Sequence, residues 1–298
     1  MKLKLGMSPI SWSNDDLPQL GGETSLQTCL AQTAQAGFSG TETGGKFPTD
    51  ADALTAILKT YHLELVSGWY SGTLIANEVQ REIAQIQEQL ALFKSCGASV
   101  IIYGETFNTA QNRQEKPLAS RPVLADFDVA AYGRRLTTLA EYCAEEGVAL
   151  SFHHHMGAAV QTQQEIEQLM AHTGEAVHLL LDTGHLVFAG GDNGQVISRY
   201  GRRINHVHTK DIRPEILSDI DAETDSFLDA VLRGVFTVPG DGHIDYHDIM
   251  TRLYDTGYQG WVVVEAEQDP AKADPFEYAK MGYQTLLSAL RSAGYSLY

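Results

Sequence analysis

The amino-acid sequence predicts an α/β fold, a (β/α)8 barrel of the TIM type. Short apolar runs rich in β-branched residues alternate with longer segments in which apolar residues recur every three or four positions, which is the pattern of repeated βα units. Eight such units can be counted in 298 residues, and a barrel of this type typically takes about 250 residues. Several helical segments end in a glycine just before the next apolar run. Eight strands with eight crossovers close most simply into a barrel.

The eight predicted strands are the apolar runs themselves. The helical period between them is clearest over residues 77–97 and 126–147, and both segments end in glycine. In chain order the strands are residues 3–7 (LKLGM), 38–42 (FSGTE), 63–68 (LELVSG), 99–104 (SVIIYG), 148–153 (VALSFH), 177–182 (VHLLLD), 204–209 (INHVHT) and 260–265 (GWVVVE).

We expect a single domain over residues 1–298, because no linker or low-complexity tract divides the sequence. Two long insertions interrupt the βα pattern, at about residues 105–126 and 211–236, after the fourth and seventh predicted strands. Loops that follow barrel strands lie on the face that carries the active site. Long ordered insertions on that face are more often lids or substrate walls than decoration.

The composition excludes several classes of partner. With 21 Lys and Arg against 38 Asp and Glu, the net charge of −17 repels nucleic acid and anionic membrane surfaces. Neutral or cation-bound small molecules are the favoured ligands. The sequence has neither a signal-peptide pattern nor an apolar run near the roughly 18 residues of a membrane span, and its three cysteines are widely spaced. We therefore expect a cytoplasmic protein with free thiols, and a homo-oligomer is compatible with this sequence.

Acidic and imidazole side chains collect where the predicted strands end, which is where TIM barrels perform chemistry. Converging carboxylates and imidazoles can bind a divalent cation such as Mn²⁺, Co²⁺ or Zn²⁺, and no cluster of soft thiolate ligands competes for this role. In strand order these residues are Glu42, Glu105, His153 to His155, Asp182 with His185, His206 and His208 with Lys210 and Asp211, and Glu265 with Glu267.

The stretch LSFHHHMG places three histidines at the end of the fifth predicted strand. Alternate residues of a strand share a face, so His153 and His155 point one way and His154 the other. At about 3.3 Å per residue the first and third lie some 6 to 7 Å apart, so one can bind a metal while the other stands near a substrate. Any one such residue could instead cap a helix or be a hydrogen-bonded core group. Ligand-type residues on four consecutive strands indicate a site.

Seven motifs, spread over nearly the whole chain, are similar to those of the xylose-isomerase-like sugar-phosphate isomerase/epimerase superfamily. Within it the first and last motifs most resemble dehydratases acting on 2-keto-myo-inositol, whereas the Asp-x-x-His and His-x-Lys-Asp pieces belong to the wider superfamily. The motifs are SPISWSNDDLP (8–18), GTETGGKFP (40–48), FHHHMG (152–157), LLLDTGHLVFAGGD (179–192), HVHTKDI (206–212), PGDGHIDY (239–246) and GWVVVEAEQDP (260–270).

The resemblance implies a metal site built from Glu, Asp, His and Glu on strands five to eight. The last three fall on Asp182, His208 and Glu265, whereas His153 stands where the superfamily has the first Glu. This departure removes one of the two carboxylates with which superfamily epimerases move a proton across a sugar carbon. It therefore favours a dehydratase, with His153 as a ligand or near-ligand of Mn²⁺ or Co²⁺, Zn²⁺ being the third option.

The implied reaction removes water from 2-keto-myo-inositol and gives a trihydroxycyclohexane-1,2-dione, a step of inositol catabolism. Glu265 or a neighbouring carboxylate is the expected base for the proton next to the ketone. His155 or His185 is expected to protonate the leaving hydroxyl, and Lys210 to add positive charge near the enolate oxygen. The expected substrate-binding residues are Trp12, Asn14, Glu42, Lys46 and Glu105.

Three other functions remain open at this point. A ketose or hydroxy-keto-acid isomerase or epimerase would keep the same barrel and site. A nuclease of the endonuclease-four type shares the barrel and binds several zinc ions, but the net charge of −17 argues against contact with a phosphate backbone. A polyol-binding regulator without catalytic activity would not need ligand-type residues on four strands.

Overall fold

The computed structural model describes residues 1–297 and confirms the (β/α)8 barrel. A parallel sheet runs in the order β3-β2-β1-β11-β8-β7-β6-β5-β4, and β12 pairs with β1 at the amino-terminal end. A short antiparallel pair, β9 and β10, lies apart from it. The strands are β1 Lys2–Met7, β2 Gly40–Thr41, β3 Glu64–Leu65, β4 Trp69–Gly72, β5 Val100–Glu105, β6 Ala149–His153, β7 His178–Asp182, β8 Ile204–Thr209, β9 Asp211–Ile212, β10 Phe236–Thr237, β11 Gly260–Val264 and β12 Ser296–Leu297.

The third predicted strand is divided in the structure into β3 and β4. Together these two short strands occupy one of the eight strand positions, or staves, of the barrel. The amide of Val66 bonds to β2 and the carbonyl of Ser67 accepts the amide of Thr43, after which the Gly68 carbonyl accepts the amide of Ile102 in β5. Hydrogen bonding thus passes from the β2 side to the β5 side within three residues, Val66 to Gly68. Because β11 also pairs with β1, the eight staves close into a barrel.

Residues 1–297 form eleven α-helices, and the ends of these helices follow the local sequence. Asp128 caps α4 by accepting the amide of Ala131, and the side chain of Thr162 and that of Glu165 form a capping box at α5. The helices are α1 Leu26–Ala36, α2 Ala51–Thr60, α3 Val79–Ser95, α4 Val129–Glu145, α5 Gln163–Ala171, α6 Thr183–Phe188, α7 Asn193–Tyr200, α8 Pro214–Leu217, α9 Phe227–Arg233, α10 Tyr246–Thr256 and α11 Pro275–Ala293.

The two long insertions meet over the carboxyl end of the barrel. The amides of Leu118 and Ala119, in the first insertion, bond to the carbonyls of Asp225 and Ala222, in the second, over 2.9 and 2.8 Å. The side chain of Leu118 joins an apolar cluster with residues of α9 and β10, separate from the main core. The insertions therefore pack on each other and enclose one side of the strand ends.

No helix in the described part of the chain is both long and apolar enough to cross a bilayer.

Leu150 tests how strongly the strands depend on burial on both faces. It lies in β6, is fully buried, and packs in the main core. We expect Leu150→Ala to lower the free energy of unfolding by about 2 to 5 kcal/mol, because it removes buried methyl groups and leaves a cavity. Urea titration followed by circular dichroism measures the change. The exposed Met281, mutated to Ala as a control, should change stability by less than about 0.5 kcal/mol; equal losses in both variants would contradict this reading.

Candidate active site

A cavity of about 570 Å³ opens at the carboxyl ends of the strands, where the sequence places the candidate residues. Its floor contains His153, His155, His208, Glu265 and Glu267. Its walls come from the loops after β1, β2 and β5 and from Trp69 and Ser71 of β4. A volume of this size accommodates a small polyol.

Four side chains from adjacent strands converge at the bottom of this cavity. One donor atom from each of His153, Asp182, His208 and Glu265 lies within 4.8 Å of every other, and all four residues are buried. The Oδ2 atom of Asp182 is 3.7 Å from Nε2 of His153 and 3.6 Å from Nδ1 of His208. A divalent cation that sits about 2.0 to 2.2 Å from nitrogen and oxygen ligands needs donors spaced in this way.

The hydrogen bonding of these donor atoms fits a metal. Oδ2 of Asp182, Nδ1 of His208 and Oε2 of Glu265 are buried and have no hydrogen-bond partner among residues 1–297. Nδ1 of His208 and Oε2 of Glu265 lie 2.6 Å apart but are not aligned as a hydrogen bond. Buried polar atoms normally have partners. Three unpartnered atoms that face one point are what a cation site presents before the cation is added.

His153 is oriented by the main chain. Its Nδ1 lies 2.5 Å from the carbonyl oxygen of His154, which accepts the proton and leaves Nε2 free to face Asp182. His154 points the other way: it is fully buried, does not line the cavity, and its Nε2 accepts the amide of Asp182 over 3.4 Å. The alternation expected for the triplet is therefore present in the structure.

Glu42 lies behind His208, at the end of β2. Its Oε1 accepts hydrogen bonds from Nε2 of His208 at 3.0 Å, from Nε2 of His206 at 2.8 Å and from the hydroxyl of Ser67 at 2.7 Å. Because Nε2 of His208 donates to a carboxylate, its Nδ1 carries the lone pair that a metal requires. Glu42 also lines the cavity, and its Oε1 is shared by His208, His206 and Ser67.

The charges in this region stabilise positive charge at His208. Burial alone would lower the pKa of His208, but Glu42 and Glu265 outweigh it and raise that pKa well above its ordinary value. For Glu42, burial opposes ionisation, and the attraction of His208 and His206 still holds its pKa below the usual range. An environment that retains a proton on His208 would also attract a cation in its place.

A second cluster lies beside the first and contains His155, His185, Glu267 and Lys210. Nζ of Lys210 is 2.5 Å from Oε1 of Glu267, 3.5 Å from Oε1 of Glu265 and 3.1 Å from Nε2 of His185. Burial lowers the pKa of His155 to about 4, and Lys210 adds to this effect. Burial would also lower the pKa of Lys210, but Glu265 and Glu267 raise it. Lys210 is therefore a buried cation held between two carboxylates.

The two histidines of this cluster differ in their access to the cavity. His155 lines it, and its Nδ1 bonds to the carbonyl oxygen of Met156 at 2.8 Å, so that Nε2 is left free. His185 and Lys210 do not line the cavity. His185 instead packs edge-on against Phe236 and nearly parallel to Phe227. Of the two expected proton donors, His155 is the one that a ligand in the cavity can reach.

Three of the expected substrate-binding residues, Trp12, Asn14 and Lys46, line the cavity but differ in whether their polar groups already have hydrogen-bond partners. Trp12 and Asn14 line the cavity, and Nδ2 of Asn14 is buried without a hydrogen-bond partner among the described residues. Lys46 also lines the cavity, but its ammonium group donates to the carbonyls of Gly21, Gly22 and Thr24, so its three protons hold that loop in place.

Glu105 is not brought to the cavity. Its carboxylate accepts hydrogen bonds from the Tyr103 hydroxyl and the amides of Ile75 and Phe107. Burial raises its pKa to about 7. This position does not support the expectation that Glu105 binds substrate, because its side chain points away from the cavity toward Tyr103 and the chain that follows β4.

Two cavity residues carry no signal in the sequence. The Trp69 indole lies edge-on to His153 and His155, with ring centroids 5.5 and 5.9 Å apart. This position depends on Gly104, where a Cβ atom would come 2.0 Å from the Trp69 ring. The second is Gln111, in the first insertion. Both are brought to the site by chain segments without a recognisable motif, so only the folded chain identifies them.

Comparison with known proteins gives a family. A model of the xylose isomerase-like TIM barrel family matches residues 30–293. The chain is 47% identical over 297 residues to the rhizopine catabolism protein MocC of Rhizobium meliloti, covering 100% of this chain and 91% of that protein. It is 43% identical to an inosose dehydratase of Geobacillus thermodenitrificans, and the match covers 93% of this chain and 94% of the relative. An inosose dehydratase of Bacillus thuringiensis is 42% identical with the same coverage of 93% and 94%.

Solved structures share the fold at low sequence identity. The IolI protein with a bound zinc atom superposes with a TM-score of 0.72 at 17% identity, covering 98% of this chain and 99% of that one. A D-allulose 3-epimerase from Methylomonas in complex with D-allulose gives 0.67 at 16% identity, with coverage of 96% and 97%. The chain belongs to the xylose isomerase-like TIM barrel family.

Proposed function

We propose that this protein is an inosose dehydratase, a lyase that removes water from 2-keto-myo-inositol in inositol catabolism. The observation that carries the proposal is the 43% identity to an inosose dehydratase over 93% of this chain and 94% of the relative. The cavity supports it, because a buried group of His153, Asp182, His208 and Glu265 with unpartnered donor atoms lies at its base. The product is a trihydroxycyclohexane-1,2-dione.

His153, Asp182, His208 and Glu265 would hold a divalent cation, for which we propose Mn²⁺ or Co²⁺, with Zn²⁺ as the alternative. Such a cation, when bound, supplies Lewis-acid polarisation of the ketone, which makes the neighbouring C–H group acidic. Two carboxylates and two neutral imidazoles give this group a formal charge of −2, which matches a divalent ion.

The protein's own side chains move the two protons. Glu265, or its neighbour Glu267, takes the proton from the carbon next to the ketone, and both carboxylates line the cavity. His155 then protonates the leaving hydroxyl from Nε2, since its Nδ1 is occupied by Met156. Because burial and Lys210 lower the pKa of His155, its Nε2 carries a lone pair at rest. The proton that it delivers is the one taken from the carbon, passed on by Glu267, whose Oε1 lies 4.0 Å from Nε2. Lys210 keeps positive charge next to both carboxylates as the enolate forms.

The walls of the cavity suit an uncharged ring. Trp12 and Trp69 offer apolar faces, and Asp15 and Asp16 lie at the cavity wall with the acidic residues of its floor. The cavity lining contains five carboxylates against Lys46 and Arg113, and this excess of negative charge disfavours phosphorylated sugars and keto acids. The second candidate, a ketose or hydroxy-keto-acid isomerase or epimerase, gains no support from this lining. We further propose that the chain works as one cytoplasmic domain, compatible with assembly into a homo-oligomer, that binds neither nucleic acid nor membrane; the net charge of −17 supports the absence of both partners.

The proposed reaction predicts a metal-dependent change in ultraviolet absorption. Purified protein loaded with Mn²⁺ should convert 2-keto-myo-inositol into an enolised dione that absorbs in the ultraviolet. Treatment with EDTA and dialysis should abolish the signal, and added Mn²⁺ or Co²⁺ should restore it, because without a cation the ketone is not polarised and the neighbouring C–H group is not acidic. Exchange of the α-proton with solvent without any absorbing product would contradict dehydration and favour the epimerase.

The division of work within the histidine triplet can be tested by metal content. His153→Ala should weaken Mn²⁺ binding by more than the roughly 10- to 100-fold that loss of a supporting residue costs, because it removes a proposed ligand itself. His154→Ala is the matched control: it is equally buried, lies outside the ligand group, and should retain bound metal in plasma emission spectrometry. Loss of metal from His154→Ala with retention in His153→Ala would refute the assignment.

Glu42 should act on metal affinity through His208. Glu42→Gln replaces a carboxylate that accepts from His208, His206 and Ser67, so His208 loses the partner that fixes its tautomer. We expect the dissociation constant for Mn²⁺ to rise by about 10- to 100-fold in isothermal titration. Glu88→Gln, on the exposed face of α3, serves as the control and should bind as the unaltered protein does. An unchanged dissociation constant for Mn²⁺ in Glu42→Gln would show that Glu42 lines the cavity without acting on the metal through His208.

A further inference from the structure

Gln111 occupies a position in the cavity that its sequence context does not reveal. It lies in the insertion after β5, its side chain lines the cavity, and the residue is 6% exposed. The Oε1 atom of its amide is buried and has no hydrogen-bond partner within residues 1–297. A buried amide oxygen without a hydrogen-bond partner lowers the stability of the ligand-free protein. Such an atom is explained when a bound ligand supplies the missing hydrogen bond.

The main chain fixes Gln111 beside the histidine triplet. The amide of Ala110 donates to the carbonyl oxygen of Gly157 over 2.9 Å. Gly157 has a φ of 81°, and a Cβ atom there would lie 2.8 Å from the Gln111 nitrogen. Glycine is therefore required at 157 both for the backbone conformation and for the close approach of residue 111. The main chain at Gln111 is thus held against the turn that follows His155.

A second unpartnered amide group lines the same cavity and has the opposite polarity. Nδ2 of Asn14 is a donor, buried and without a partner in the described chain, whereas Oε1 of Gln111 is an acceptor. The Oδ1 atom of Asn14 is already used by the amides of Asp16 and Leu17. A hydroxyl group is both donor and acceptor. A ring that carries several hydroxyls can satisfy both amides without any charged group.

We propose that Gln111 is a specificity-determining residue that accepts a hydrogen bond from one ring hydroxyl of the polyol substrate. The inference deepens the proposed function and rests on it for the identity of the ring. Gln111 touches neither the proposed ligand group nor the proton-transfer groups in any hydrogen bond, so its role is recognition of the substrate. A site built to bond a hydroxyl discriminates strongly against an analogue that lacks it, because the buried partner is then left unpaired.

The test compares the Gln111→Met variant with the unaltered protein, both loaded with Mn²⁺. Methionine has a side chain of similar length to glutamine but lacks the amide group. Two readouts are used. The first is kcat/KM for 2-keto-myo-inositol and for a series of analogues that each lack one hydroxyl. The second is the dissociation constant of myo-inositol by titration calorimetry, since this polyol has no ketone and is not dehydrated. Gln27→Met, on the exposed part of α1, is the matched control.

We expect Gln111→Met to lower kcat/KM for the parent ketone and to weaken myo-inositol binding, each by about tenfold or more. One deoxy analogue should be a correspondingly poor substrate of the unaltered protein and be insensitive to the substitution. Unchanged values for both ligands, or equal losses over the whole analogue series, would overturn the inference. If Gln111→Met does not fold, Gln111→Asn withdraws the amide by one methylene and should show the same pattern.

The two readouts separate the inference from the function on which it rests. Failure of the unaltered protein to dehydrate 2-keto-myo-inositol would refute the proposed function. A loss of myo-inositol binding in Gln111→Met would in that case still support Gln111 as a polyol-binding residue.

Discussion

The arrangement of the site depends on four buried side chains that converge from four neighbouring strands of the barrel. His153, Asp182, His208 and Glu265 end adjacent parallel strands, and the barrel brings their donor atoms within 4.8 Å of each other. Two carboxylates at such a distance in a buried place repel each other and lose hydration. Nearby positive charge offsets this repulsion. Three donor atoms of the group, on Asp182, His208 and Glu265, have no hydrogen bond and are available to a cation.

The remainder of the site can be understood as the support of this group. Glu42 fixes His208 from behind, the His154 carbonyl oxygen fixes His153, and Lys210 places a buried ammonium between Glu265 and Glu267. Each contact orients a donor atom or offsets charge. The three histidines of the triplet therefore have different surroundings: His153 lies in the buried group with Asp182, His208 and Glu265, His154 is buried behind the strand, and His155 lines the cavity.

The chain segments outside the staves decide what enters the cavity. The two insertions bond to each other through main-chain groups and carry Gln111 to the turn after His155. Trp69 is positioned by the interruption between β3 and β4 and by the absence of a side chain at Gly104. The barrel thus provides the charged floor, and the loops provide an aromatic and amide wall suited to a neutral hydroxylated ring.

The sequence by itself determined the barrel and six of its strands to within one residue at each end, because these depend on local periodicity. The resemblance of its motifs pointed to His153, Asp182, His208 and Glu265, and the structure brings these four side chains together. The sequence did not predict the division of the third strand, the turn of Glu105 away from the cavity, the use of the Lys46 protons by a neighbouring loop, or the positions of Trp69 and Gln111. These features depend on contacts between segments far apart in the chain. Where a side chain points in a loop, and which hydrogen bonds it finds there, is decided by the packing of the whole tertiary structure.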